Sequence, residues 1–307
     1  KSAKSRIKAL DKMERIEKPF HEEKHAKIHF TYAMEPPLDV LTVRGADISV
    51  GTGENKKTLL DEISFTARRG DKVGIIGDNG IGKSTLLKII QEKLPHKGLI
   101  RWNSNVKISY FEQESANLTK SLTVMEELHH RYPSMSELEV RSLLAQVRLT
   151  GENVFKETGV ISGGERAKLC FAIMMQEHGN VLILDEPTNH LDLASKEAIE
   201  EALEEYTGTV IFVSHDRYLL SKIADRIIEL KPNGSEIYEF GFEKYMDVFK
   251  ERQNAERTAA ELEKQHKAEE AAKDKSAKVY KTKQQRSIEA ARRNQIRKTE
   301  EEIEELQ

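Results

Sequence analysis

Between Ala26 and Phe249 apolar residues recur densely enough to build a core, and their spacing switches repeatedly between a period of two and a helical period. Lys27–Tyr32 alternates apolar and polar, which predicts a strand stopped by Pro36-Pro37. Val40–Val50 and Ile63–Ala67 predict two more strands, and Arg69-Gly70-Asp71 predicts a turn. Lys72–Ile76 is a short apolar run suited to a strand buried on both faces, as in a parallel sheet. A helix is expected over Lys83–Lys93, closed by Pro95–Gly98, and Leu99–Tyr110 returns to strand. From Leu122 to Met175 the spacing of Leu122, Met125 and Leu128, then Leu138, Leu143, Leu144 and Val147, is mostly helical. Val181–Leu184 and Val210–Val213 read as buried strands, each followed by a helix, and Ile227–Leu230 and Ile237–Phe240 close the pattern as strands. Strands alternating with helices predict an α/β fold with a helical insertion.

The two ends have a different pattern. Lys1–Lys18 places Ile7, Leu10, Met13 and Ile16 on one stripe, a helix ended by Pro19. After Phe249 apolar residues nearly vanish. Glu251–Ala272 predicts a solvent-facing helix held by charge pairs, and Ile296, Ile303 and Leu306 stand at coiled-coil-like spacing. Beyond Ala272 the pattern is compatible with either a helical hairpin or a frayed tail.

The net charge of −3 conceals two basic arms. Lys1–Phe20 carries seven basic residues against three acids, and Lys273–Lys298 ten against two, which suits nucleic-acid phosphates or a solvated helix face. The single cysteine, Cys170, excludes an internal disulfide and fits a reducing, cytoplasmic setting; its neighbours Leu169, Phe171 and Ile173 predict a buried thiol. Apolar runs are too short to cross a bilayer. No signal peptide is visible. A chain that opens on Lys1 rather than Met reads as a piece of a longer protein.

Five stretches carry the chemistry. Gly77-Asp78-Asn79-Gly80-Ile81-Gly82-Lys83-Ser84 has the form GxxxxGK[ST] between a predicted strand and a predicted helix, the context that gives it meaning. Glycines let the backbone wrap phosphates closely, amides from Gly80 to Thr85 point at them, Lys83 adds a charge, and Ser84 offers a ligand for Mg²⁺. At the end of the predicted strand Val181–Leu184 stand Asp185, placed to hold Mg²⁺ through water, and Glu186, placed to polarise the attacking water. Gln113 follows the strand ending in Tyr110-Phe111 and can reach metal or water. His215 follows Val210–Val213 and can contact a γ-phosphate. Ser162-Gly163-Gly164-Glu165 has the SxxE form of a capping box, but a cap does not need both glycines. They leave a bare helix N-terminus, a second phosphate site whose natural target is ATP held by another copy.

At these residues the chain resembles the ATP-binding-cassette superfamily. Gly77–Ser84 is similar to Walker A, Gln113 to the Q-loop, Ile161–Glu165 to the signature, Val181–Glu186 to Walker B, and His215 to the switch histidine. Pro187-Thr188-Asn189-His190-Leu191-Asp192, Ser214-His215-Asp216-Arg217-Tyr218 and Tyr110-Phe111-Glu112-Gln113 resemble the ABC-F group. The resemblance implies a P-loop cassette with a mixed sheet core, an antiparallel β subdomain and a helical signature subdomain. It implies the end of a helical linker at 1–25, the ATPase domain at 26–248 with its helical subdomain at about 115–178, and a basic extension, similar to those that follow the last ABC-F cassette, at 249–307.

ABC-F proteins carry two cassettes without membrane domains and act on the ribosome as translation factors or antibiotic-resistance proteins. This chain would then be the second cassette: an ATPase with Mg²⁺ as cofactor, ribosomal RNA and a partner cassette as partners, and monomer or weak homodimer when alone. The ATPase subunit of a membrane transporter and a decayed RNA-binding cassette are the competing readings. Many cassettes stack adenine on an aromatic residue upstream of Walker A; Val50-Gly51-Thr52-Gly53 contains none.

Overall fold

The computed structural model describes residues 27–50, 57–112, 118–232 and 234–304. The chain divides into two compact units, Lys1–Glu243 and Lys244–Gln307.

In the first unit the strands sort into two sheets. One is antiparallel, built from β1 (Asp39–Val50), β2 (Lys57–Arg68) and β4 (Lys97–Trp102) in the order β2-β1-β4. The other has six strands: β3 (Lys72–Gly77), β5 (Ile108–Phe111), β6 (Val181–Asp185), β7 (Thr209–Val213), β8 (Arg226–Lys231) and β9 (Gly234–Tyr238). Their order is β5-β6-β7-β3-β8-β9, and only the β8–β9 pairing is antiparallel. Every residue of β6 and β7 is buried, as central parallel strands covered on both faces must be. Register aligns their ends: Asp185 lies opposite Val213, Val213 opposite Ile75, and Leu184 opposite Phe111. The loops leaving β3, β5, β6 and β7 therefore emerge along one edge of the sheet.

Helix α1 (Lys83–Ile90) lies between the sheets. Leu86, Leu87, Ile89 and Ile90 are fully buried in one cluster with Val40, Leu41 and Ile63 of the first sheet and Ile75, Ile183 and Ile211 of the second. Burying each such side chain is worth about 1.5–3 kcal/mol, so this helix is held at both its faces. It cannot tilt without opening the core, and it starts where the glycine-rich loop ends.

The helical part contains α2 (Val124–Arg131), α3 (Glu137–Gln146), a short 3₁₀ segment (Gly151–Phe155) and α4 (Gly163–Glu177). All three α-helices open on a complete capping box: Thr123 with Glu126, Ser136 with Glu139, and Ser162 with Glu165. Phe171 of α4 stacks on Phe111 of β5 at 4.7 Å, which ties this region to the sheet. Helix α3 ends at Val147; the amides of Arg148 and Leu149 return to the carbonyls of Ala145 and Leu144, with Arg148 at φ +60°. Two further helices, α5 (Leu193–Glu205) and α6 (Arg217–Ile223), begin on the side-chain caps Asp192 and Asp216.

Several expectations need correction. Lys27–Tyr32 forms no strand: Ile28 and Phe30 are buried and Lys27, His29 and Thr31 exposed, as alternation requires, but no neighbouring strand pairs with it. Phe30 instead packs edge-on against Tyr206. Leu99–Tyr110 is not one strand, because β4 and β5 belong to different sheets. Cys170 is half-buried and lines a cavity beside Tyr110, Ile173 and Met174 rather than being sealed in the core.

In the second unit, neither a hairpin nor a frayed tail follows Ala272. The chain is one helix, α7 (Phe242–Glu304), of 63 residues. It contains no glycine or proline to break it, and ion pairs such as Lys267–Glu263 support it one turn apart. The expected helix at Lys1–Lys18 lies outside the described residues.

Candidate functional site

Loops from β3, β6 and β7 meet at the shared edge. After β3 the backbone turns at Gly77 with φ +151°, and a Cβ there would sit 2.8 Å from the Leu230 carbonyl oxygen. No other residue fits that approach. Asp78, Asn79 and Gly80 are exposed, Ile81 half-buried, and Gly82 caps α1. Lys83 is 8% exposed. Its ammonium donates to the carbonyls of Gly77 and Asp78, both at 2.9 Å, so the loop closes around the cation. Burial lowers the Lys83 pKa, while Glu186, Asp78 and Asp185 oppose that shift. Ser84 is exposed at the start of α1, with Thr85 half-buried behind it.

Asp185 ends β6 and is buried, with the Ser84 side chain beside it. Desolvation pushes its carboxyl above the ordinary range, against Ser84 and Lys88. Lys88 in turn pairs with Glu112 at 3.0 Å. Glu186 is held in the left-handed region at φ +51°. Its Oε2 accepts the His215 amide at 3.3 Å, and its Oε1 lies 3.6 Å from His215 Nε2. Burial again raises its pKa, partly offset by the amide and the ring of His215. Asp185 Oδ1 and Glu186 Oε1 are both buried without a hydrogen-bond partner. Buried carboxylate oxygens without hydrogen-bond donors, on two consecutive residues, are suited to a cation and its water.

Among the described residues no cluster of three or more His, Cys, Asp or Glu could hold a metal. One carboxylate and one hydroxyl suit Mg²⁺, which keeps waters and takes its remaining ligands from phosphates. Gln113 lies outside the described residues, as do Gly51, Thr52 and Gly53, the stretch upstream of the loop that carries no aromatic ring for adenine. Phe111, the strand end before Gln113, lies level with Leu184.

The Ser162–Glu165 stretch is a working cap: Ser162 Oγ accepts the Glu165 amide at 3.2 Å, and Glu165 Oε2 accepts the Ser162 amide at 2.9 Å. Its glycines differ. A Cβ on Gly164 would lie 2.7 Å from the His190 carbonyl oxygen, whereas one on Gly163 would meet only ordinary contacts. Gly164 thus serves the packing of α4 against the loop after β6, and only Gly163 is left bare toward the outside. Gly164→Ala should therefore lower the thermal unfolding midpoint, by several degrees for a loss of about 1–3 kcal/mol, while Gly163→Ala leaves it nearly unchanged. Equal midpoints would contradict the packing role. His190, at φ +64°, borders two grooves. One includes Glu186, Asn189 and Gly163; the other includes Ser162, Gly163 and Gly164. The pairing of Lys88 with Glu112 beside Asp185 was not visible in the sequence, because no local spacing signals it.

A family described as ABC transporter matches residues 60–189, spanning the glycine-rich loop, Ser162–Glu165 and the β6 end. ABC transporter F family member 2 of Arabidopsis thaliana is 38% identical over 276 residues, 88% of this chain and 39% of that protein. The ATP-binding protein YdiF of Bacillus subtilis is 42% identical over 290 residues, 94% of this chain and 43% of that one. The chain belongs to the F family of ATP-binding-cassette ATPases. This F-family chain spans about two fifths of the length of the curated relatives it matches. Among solved structures, the ATP-binding cassette MJ0796, a dimer in a post-hydrolysis state bound to ADP and Pi, shares its fold. The TM-score is 0.56 at 24% identity, over 66% of this chain and all of that one. No described helix of the ABC-F chain is long and apolar enough to cross a membrane.

Proposed function

We propose that this cassette binds ATP on the Gly77–Thr85 loop, hydrolyses it, and uses the resulting opening and closing against a second cassette to control binding to the ribosome. The observation that carries the hydrolytic part is the pair of buried carboxylates of Asp185 and Glu186, each with one oxygen that accepts no hydrogen bond, at the sheet edge where Lys83 begins α1. Lys83 exchanges its two carbonyl partners for phosphate oxygens. The loop amides and the α1 N-terminus hold the same anion. Ser84 and Asp185 would hold Mg²⁺, with Gln113 a third ligand in the resemblance, and the ion would supply charge neutralisation at the phosphates.

Glu186 orients the attacking water, and its raised pKa makes it a better base than an exposed carboxylate. The His215 amide fixes the Glu186 carboxylate, and the His215 ring, more than half exposed, is free to turn toward a γ-phosphate. Gly163 and Ser162 offer α4's bare N-terminus to ATP on the opposing cassette, as the dimeric form of MJ0796 makes reasonable for this fold. The second-cassette position, the domain limits at 26–248 and a cytoplasmic setting belong to the same reading.

The ribosomal part rests on the F-family membership and on the basic residues of α7. Its test is sedimentation of the intact two-cassette protein carrying Glu186→Gln with ribosomes. ATP should retain the protein in the ribosomal pellet, and ADP should release it. Equal pelleting with either nucleotide would remove the ribosomal role and leave the ATPase standing.

A further inference from the structure

The groove that contains Ser162, Gly163 and Gly164 is also lined by Arg148, from the turn after α3. We propose that Arg148 binds the phosphate chain of ATP held by an opposing cassette, a contact in trans that lies outside the five sequence stretches. The inference rests on the paired-cassette reading above.

The charges in the groove argue for it. Glu165 is engaged by Ser162 and by Lys156 at 3.4 Å, and Asp192 by Lys168 at 2.8 Å. The Arg148 side chain is exposed and makes no hydrogen bond or ion pair with the described residues. The acids are thus matched, and one guanidinium is spare beside the positive end of α4. A cation left there with no anion of its own suits an anion brought from outside. A guanidinium fork matches phosphate oxygens in bidentate geometry.

The backbone gives a second argument. Arg148 occupies the left-handed position after Val147, where the amides of Arg148 and Leu149 close the end of α3. Glycine is the favoured residue at that position, because it avoids the Cβ penalty. A sequence shaped by stability alone would place glycine here. The competing explanation is that the cation is attracted to the negative end of α3 itself. In that case removing it would cost stability, so the two explanations separate in one experiment.

The test uses the 307-residue chain carrying Glu186→Gln, with ATP-driven self-association followed by analytical ultracentrifugation, ATP binding titrated at low protein concentration, and thermal unfolding of the free chain. Adding Arg148→Gly should raise the ATP concentration for half-association about tenfold or more, the loss of one charge-assisted contact. ATP affinity of the separate chains should not change, and the unfolding midpoint should hold or rise. Arg148→Lys should recover part of the association. Unchanged association in Arg148→Gly overturns the inference and leaves the paired reading intact. A midpoint lowered in step with weaker association also overturns it, since Arg148 would then act only as a helix end. If the parent chain does not associate at all with ATP, the paired reading fails and this inference fails with it.

Discussion

Glu186→Gln is expected to slow ATP hydrolysis by roughly 10²–10⁴-fold, the range for loss of a positioned general base, while leaving ATP binding in place. Glutamine keeps the shape of the side chain and can still accept the His215 amide through its carbonyl oxygen. It cannot take a proton from water. Binding should be spared, because in the proposed mode the anion rests on Lys83 and the loop amides, none of which hydrogen-bonds to the Glu186 carboxylate. The same change replaces a buried carboxylate with one oxygen that accepts no hydrogen bond, so the free variant should unfold at a slightly higher temperature than the parent. Phosphate release under single-turnover conditions gives the first number and a melting curve the second. Turnover within about threefold of the parent would take Glu186 out of its role, whatever the melting curve shows.

The second large effect is expected at Lys83. Lys83→Ala removes the buried ammonium of the loop, and hydrogen bonds to a charged group are worth about 1.5–3 kcal/mol. That range corresponds to roughly 10–150-fold weaker ATP binding per contact, and the loss should be larger if the ammonium meets two phosphates. The fold should survive, since α1 is anchored by Leu86, Leu87, Ile89 and Ile90 rather than by this side chain. Lys83→Arg should not restore affinity, because a planar guanidinium fork does not reproduce the compact point charge that the Gly77 and Asp78 carbonyls both accept at 2.9 Å. Calorimetric titration with ATP and Mg²⁺ decides it; affinity within about threefold of the parent would show that the amides alone suffice.

The parts of this site that were legible in the sequence are those in which chemistry is written locally. The Gly77–Ser84 spacing, the acids after an unbroken apolar run at Val181–Leu184, and the SxxE cap at Ser162 each need only a few neighbouring residues. The α/β alternation was legible for the same reason. Non-local features were not. Lys27–Tyr32 carries a strand's alternation, and its buried positions obey it, yet strand formation needs a pairing edge that no local pattern reveals. The break between β4 and β5 depends on which sheet each joins. The different tasks of Gly163 and Gly164 depend on where the carbonyl of His190, distant in the chain, comes to lie, and the sequence shows two identical letters. The length of α7 was missed too: a solvent-facing helix is expected only as far as Ala272, with a hairpin or a frayed tail beyond it, although no glycine or proline interrupts the chain through Glu304.

The self-bonded state of Lys83 has a consequence for the cycle as a whole. A buried ammonium abandoned by departing phosphates would normally be left without a counterpart in a poorly hydrated setting. Here two carbonyl oxygens of its own chain stand 2.9 Å away to receive it. On the proposed reading, product would leave without stranding a cation, and the loop would hold its shape for the next nucleotide instead of having to refold around it.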